Sequence, residues 1–229
     1  MGFVRSAYLS ALPFLVNKLH LNVNYYKNNS LIADSVLVNT VLKVKNDSFV
    51  KQTLEELLNV YLLAQQTNKL QGDIAEVGVY CGGSAKLIAM NKGKRSLHLF
   101  DSFEGMKEVS KNDLHKVADF ADTSLETVQK YLSEFNDVYF YKGWFPQTAG
   151  PIKDKQFSLV HVDADLYQST LDSLIFFYPR MVKGAVFISH DYNSISCPGV
   201  IKAFTEFFTD KPELVIQIAG TSQGLFVKL

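Results

Sequence analysis

Cysteine, tryptophan and net charge are all scarce in this sequence. Cys81 and Cys197 are its only cysteines among 229 residues. They lie far apart and form no Cys-x-x-Cys pair, which excludes a disulfide framework and a cysteine-built zinc site. A reducing, cytoplasmic setting fits. Twenty-three Lys plus Arg balance 23 Asp plus Glu, so the surplus of basic charge that phosphate binding needs is missing. Nucleic acid is therefore not the expected partner. No run approaches the roughly 20 apolar residues of a membrane span. Residues 6–17 faintly imitate a signal peptide after Arg5, but Pro13 interrupts them and no Ala-x-Ala site follows before Lys18. The opening Met1-Gly2-x-x-x-Ser6 fits the myristoylation pattern, a string too short and common to carry weight alone.

What is present is an ordinary globular composition, 47% hydrophobic and 20% charged, of a length that suits one large domain with an appendage. Residues 1–46 are apolar and aromatic without a clean period, and asparagines break them up. They read as an amino-terminal extension of short helices and loops packing on the main domain or on a partner subunit, so a homo-oligomer is compatible with the sequence. Next, Phe49, Val50, Leu54, Leu57, Leu58, Tyr61 and Leu62 recur at helical spacing. They predict a helix capped by Asp47 or Ser48 and running to about Asn68.

Beyond Gly72 the pattern alternates. Strands are predicted at 74–80, 97–100, 138–141, 157–162 and 185–189, with helices at 84–91, 125–135, 169–178 and 200–208. Two final strands, 214–218 and 225–228, flank a turn from Gly220 to Gly224 and predict an antiparallel hairpin at one edge of the sheet. The expectation is an α/β domain over 47–229, its sheet mostly parallel with helices on both faces.

In such a sheet, ligands sit beyond the carboxyl ends of the strands at the point where strand order reverses. After the first strand stands Glu76-Val-Gly78-Val-Tyr80-Cys81-Gly82-Gly83-Ser84. Its glycines permit close backbone approach, and the next helix offers free N–H groups at its start. The spacing is not the Gly-x-Gly-x-x-Gly of dinucleotide folds. Asp101, closing the second strand, can accept hydrogen bonds from both hydroxyls of a ribose. Together these features predict a nucleoside-containing ligand, adenosylmethionine rather than NAD.

The chemistry is expected at the next two strand ends. Asp163 and Asp165 end one, and His190-Asp191 ends the other. Carboxylates suit hard divalent cations and imidazole is an acceptable borderline ligand. Asp163, His190 and Asp191 could therefore hold one metal, leaving Asp165 as a base; the bland reading of the same acids is helix capping.

At this point the chain resembles the macrocin-type sugar O-methyltransferases, the TylF/MycF family. The resemblance runs roughly from Thr53 to Phe208. It rests on the blocks starting at Gly72-Asp73, at Phe100-Asp101-Ser102-Phe103-Glu104-Gly105, at Lys142-Gly143-Trp144-Phe145-Pro146, at Val162-Asp163-Ala-Asp165-Leu166-Tyr167 and at Asp191-Tyr192. It implies a Rossmann-like class I methyltransferase fold, adenosylmethionine as methyl donor, usually magnesium, and hydroxyls of sugars on natural products or glycans as acceptors. Block by block, it suggests Glu76, Gly78 and Ser84 near the methionine part and Asp101 on the ribose. Ser102 and Phe103 would stand beside the adenosine, with Tyr80, Gly82 and Asp163 also among the cofactor-binding residues. Asp163 and Asp191 match metal-ligand positions and Asp165 the general base. One position departs: the family usually carries Asp-Asp where this chain has His190-Asp191, which opens the choice of metal, or its need, to another divalent ion.

Several residues carry two readings. Trp144 is a core anchor or a stacking platform, whereas Tyr167, Tyr192 and His161 read first as packed residues and Cys81 as a small filler. Residues 104–122 read as a solvated face or as a lid beside the cofactor end. Two other functions stay open: a methyltransferase of catechol-like or other small hydroxyls, and a scaffold that keeps the fold without catalysis.

Overall fold

The computed structural model describes residues 35–48, 50–106 and 112–229. The signal-like run, the myristoylation string, Phe49, and Lys107 and Lys111 of the 104–122 segment lie outside the described residues. The chain divides into two compact units, 1–43 and 44–229, so the division falls inside the first described helix, α1 (Ser35–Asp47).

The sequence-based helix from 47 to 68 is corrected. Asp47 ends α1, and Ser48 donates its hydroxyl back to Val44 O at 2.6 Å, so it closes one helix instead of opening the next. Helix α2 (Leu54–Gln66) starts at a stronger signal, Thr53-x-x-Glu56. The Thr53 hydroxyl accepts from Glu56 N, and the Glu56 carboxylate accepts from Thr53 N at 2.8 Å. This capping box satisfies two amides that the first helical turn leaves without partners. Leu54, Leu57, Leu58 and Ala64 then bury one face of α2.

The remaining elements alternate as expected: β1 (Asp73–Val77), α3 (Gly83–Asn91), β2 (Leu97–Asp101), α4 (Leu125–Tyr131), β3 (Val138–Lys142), β4 (Phe157–Val162), α5 (Tyr167–Phe177), β5 (Met181–Ser189), α6 (Pro198–Phe207), β6 (Ile216–Gln217) and β7 (Gly224–Val227). They build one sheet of order β3-β2-β1-β4-β5-β7-β6. The pairs among β1 to β5 are parallel, whereas β7 runs antiparallel to both β5 and β6. Successive side chains alternate faces in a strand. Ala75 and Val77 accordingly enter a core rich in phenylalanine, with Phe157, Phe177, Phe187, Phe204 and Phe226. Ile74 faces the other core, with Ile88, Leu97, Leu99 and Ile188. Burial on both faces is what a parallel sheet requires.

Polar groups inside are tied down. The buried Arg95 guanidinium donates to Ala64 O at 2.6 Å and to the Thr67 and Ser158 hydroxyls at 3.0 Å each. It thereby holds the end of α2 against the sheet, while burial lowers its pKa to about 10. Near the sheet edge the Glu213 carboxylate accepts from Lys228 Nζ and the Tyr178 hydroxyl, both at 2.7 Å. Burial alone would raise its pKa, but these hydrogen bonds lower it from 4.5 to about 2. A depressed folded-state pKa stabilises above the unfolded value and loses that contribution as pH falls through the folded one. Glu213→Gln should thus cost roughly 1.5–3 kcal/mol at neutral pH, the range for charge-assisted hydrogen bonds. In denaturant titrations the gap from wild type should close between pH 4.5 and about 2.

Candidate active site

The sheet order reverses at β1, whose neighbours are β2 on one side and β4 on the other, and the carboxyl ends of these strands frame a cleft. Gly78 follows β1 at φ +85°, a left-handed conformation that glycine adopts without a Cβ clash. A Cβ there would sit 1.9 Å from Asp163 O, so the turns after β1 and β4 touch only because the side chain is absent. Gly82, at φ +82°, caps α3 and brings Gly83 and Ser84 to the cleft wall.

Asp101 organises this loop. Its Oδ2 accepts from Val79 N at 2.7 Å and Tyr80 N at 2.9 Å, and its Oδ1 from Phe103 N at 2.7 Å. An ionised carboxylate has about four acceptor positions. Three are filled by this chain, so Asp101 has room for about one ribose hydroxyl where the sequence suggested two.

The cleft measures about 1080 Å³ including its open mouth. Gly78, Tyr80, Ser84, Asp101, Ser102, Asp163, Asp165 and His190 all line it, as does half-exposed Trp144. Four sequence-proposed site residues do not, Asp191 among them, which is buried beside His190. Glu76 is fully buried beneath the wall and contacts His161 Nδ1 at 2.7 Å, where burial raises its pKa. Phe103 packs into the core that holds Leu99 and Val128, and Gly82 acts through the backbone at the start of α3. Tyr167 donates to Glu206, and Tyr192 packs edge-on against Phe204; neither lines the cleft. Cys81 does, with its thiol pKa raised by burial, as suits a packing residue.

Four charged side chains meet at one corner. His190 Nδ1 lies 2.9 Å from Asp163 Oδ1 and 3.0 Å from Asp191 Oδ1. Its Nε2 lies 3.1 Å from Glu56 Oε2 on α2. Burial would lower the His190 pKa, but the three carboxylates raise it, and the net direction is up. Asp163 also accepts from Gln52 Nε2 at 2.6 Å. Burial would raise its pKa, yet His190 brings it below the ordinary value. Burial raises that of Asp191.

Asp165 stands at φ +57°, a strained conformation for a residue other than glycine and one that clusters at functional sites. Burial and the charges of Asp191 and Asp163 push its carboxyl well above the ordinary value. Cys197 Sγ approaches its Oδ1 at 3.5 Å, and His115 Nε2 at 3.7 Å. His115 is in turn held by Asp119 at 3.2 Å, so the described part of segment 104–122 reaches the corner, and its Phe120 lines the cleft.

Glu56, Gln52, His115 and Cys197 escaped the sequence reading. Of these only Glu56 carries a local sequence signal, the Thr53-x-x-Glu56 capping box, which that reading passed over. The Ile74/Glu76 alternation, by contrast, could have placed Glu76 in the core.

Strand order, glycine turn and closing acid define a Rossmann-like methyltransferase fold. Residues 49–218 match the macrocin-O-methyltransferase (TylF) family, and the chain belongs to it. It is 26% identical over 185 residues to the demethyldecarbamoylnovobiocin O-methyltransferase of Streptomyces niveus, covering 73% of this chain and 67% of that one. It is 29% identical over 163 residues to the mycinamicin III 3''-O-methyltransferase of Micromonospora griseorubida, covering 63% and 64%. The chain thus spans about two thirds of the length of these curated relatives. Among solved structures it is similar to the O-methyltransferase NovP, with a TM-score of 0.66 and 25% identity over 76% of this chain and 80% of that one. No helix among the described residues is long and apolar enough to cross a membrane.

Proposed function

We propose that this chain is an adenosylmethionine-dependent O-methyltransferase acting on a sugar hydroxyl of a glycosylated small molecule or glycan. One observation carries the reading: the glycine loop and Asp101 open into the same cleft as Asp163, Asp165 and His190. The cleft is large enough for a cofactor and part of an acceptor. The two relatives named above, whose names are those of O-methyltransferases of demethyldecarbamoylnovobiocin and of mycinamicin III, support the acceptor class.

Adenosylmethionine supplies an electrophilic methyl group on a sulfonium. Asp101 orients the ribose, the start of α3 with Ser84 receives the amino-acid end, and the Gly78 turn lets the ligand lie against backbone. Asp165 accepts the acceptor hydroxyl's proton as the oxygen takes the methyl. The C–S bond breaks as the O–C bond forms, leaving adenosylhomocysteine, a methyl ether and a protonated Asp165. Holding oxygen, methyl and sulfur in line accounts for much of the rate.

Asp163, His190 and Asp191 also fit a divalent metal. Their ligand atoms all lie within 4.8 Å of one another. His190 Nδ1 and Asp191 Oδ2 are buried without a hydrogen-bond partner. Adjacent ligands of an octahedral ion at 2.0–2.1 Å stand about 2.9 Å apart, close to the 2.9 and 3.0 Å seen here. A metal bound there would make the acceptor hydroxyl easier to deprotonate. Both cysteines are free thiols, which suits the cytoplasm as the place of action.

Calorimetric titration of adenosylhomocysteine into metal-stripped protein tests the reading, with and without magnesium or manganese. Binding in the micromolar range is expected. No binding under any condition overturns it in favour of a scaffold.

A further inference from the structure

The His190 ring is gripped from behind. Glu56 Oε2 accepts from Thr53 N at 2.8 Å and meets His190 Nε2 at 3.1 Å, while Oε1 accepts from the Ser222 hydroxyl at 2.9 Å. The same Ser222 hydroxyl lies 2.8 Å from His190 O, and His190 N donates to Val162 O at 2.9 Å. Glu56 is buried and belongs to α2, 134 residues from His190 in sequence.

An ionised carboxylate only accepts hydrogen bonds, so Glu56 requires the proton on Nε2. In the metal-free chain the surrounding carboxylates favour a second ring proton on Nδ1, and a divalent cation that binds there displaces it, so that Nδ1 then presents a lone pair. That lone pair stands about 3 Å from two carboxylate oxygens, Asp163 Oδ1 and Asp191 Oδ1, and neither contact is aligned as a hydrogen bond. Three ligand atoms therefore converge on one point, where a ring proton or a divalent cation can hold them together. Gln52 engages the other Asp163 oxygen, Oδ2, which leaves Oδ1 for the convergence. Two carboxylates and one neutral imidazole balance the charge of a divalent cation. A carboxylate behind a ligating histidine is also the usual device for fixing its tautomer and raising its basicity.

From this geometry we infer that Glu56 is a positioning residue that presents His190 Nδ1 as a direct nitrogen ligand. The corner thereby selects a divalent ion tolerant of imidazole, of the manganese, iron or cobalt kind, over magnesium. The inference rests on the proposed reading that this corner holds a metal. Its physical basis is that affinity of a mixed nitrogen and oxygen site rises from manganese through iron to cobalt, whereas magnesium prefers oxygen and retained water.

The test uses the full metal-stripped chain and manganese(II) as the probe, followed by continuous-wave and pulsed electron paramagnetic resonance. Bound manganese should show nitrogen modulation from one directly coordinated imidazole, and magnesium should displace it only in more than about tenfold excess. His190→Asp should keep manganese, lose the nitrogen modulation and let magnesium compete. Glu56→Gln should weaken manganese binding by about 10–100-fold while helix content and adenosylhomocysteine affinity stay at wild-type values. A Glu56 that served only to cap α2 would leave manganese affinity unchanged once folding is verified.

Manganese bound without nitrogen modulation overturns the inference and leaves the methyltransferase reading standing. So does the absence of bound manganese alongside intact adenosylhomocysteine binding, the behaviour of a doubly protonated ring serving as its own cation. Nitrogen-coordinated manganese without adenosylhomocysteine binding upholds the inference and sinks the methyltransferase reading.

Discussion

Asp165→Asn is expected to lower kcat by about 10²–10⁴, the contribution of a positioned general base, with adenosylhomocysteine binding unchanged. The substitution keeps side-chain size and the αL tolerance that φ +57° demands, so the turn after β4 should survive. What it removes is proton affinity. Burial and the negative charges of Asp191 and Asp163 make the Asp165 carboxylate a stronger base than a surface aspartate, and an amide in its place cannot take the proton. Single-turnover assays with a glycosylated acceptor, run beside cofactor titrations, separate the two effects. Loss of adenosylhomocysteine binding would remove Asp165 from the base role and make it a structural part of the cofactor wall.

Gly78→Ala is expected to cost stability and binding together. The new methyl would lie 1.9 Å from Asp163 O on a backbone at φ +85°. Left-handed strain contributes about 1–2 kcal/mol and overpacking about 1–3 kcal/mol more. Relief requires the β4 turn to move, which carries Asp163 away from His190 and Asp165 out of the cleft. Urea unfolding should show a loss of about 2–5 kcal/mol, with adenosylhomocysteine affinity down at least tenfold. Near-wild-type binding would mean that the two turns separate freely and that Gly78 does not set their spacing.

Much of the fold was legible because its signals are local. The apolar run 157–162 became β4 at the predicted bounds, and the turn at 220–224 separates β6 from β7 in the expected antiparallel pairing. The run 74–80 was read too long because apolarity continues through Val79 and Tyr80, while Gly78 and Tyr80 turn to positive φ and end the strand at Val77. Asp101, Asp163 and Asp165 were legible as acids at strand ends, and the structure brings all three to the cleft. The partners behind them were not. Gln52 and Asp163 are 111 residues apart, and Glu56 and Ser222 are 166 apart. No periodicity joins such pairs; only the completed sheet does.

That separation governs how the protein is made. Parallel strands β1 and β4 pair Glu76 with His161, 85 residues away, and contacts of such span form slowly because a long loop must close first. The corner around His190 waits longer still, since Ser222 must reach both Glu56 and His190. A nascent chain that has emerged only through Asp191 carries the glycine loop, Asp101 and the acids after β4 yet lacks Ser222, which braces His190. Because the cleft draws on strands that pair across such spans, bound cofactor should raise the melting temperature of the whole domain instead of protecting the glycine loop alone.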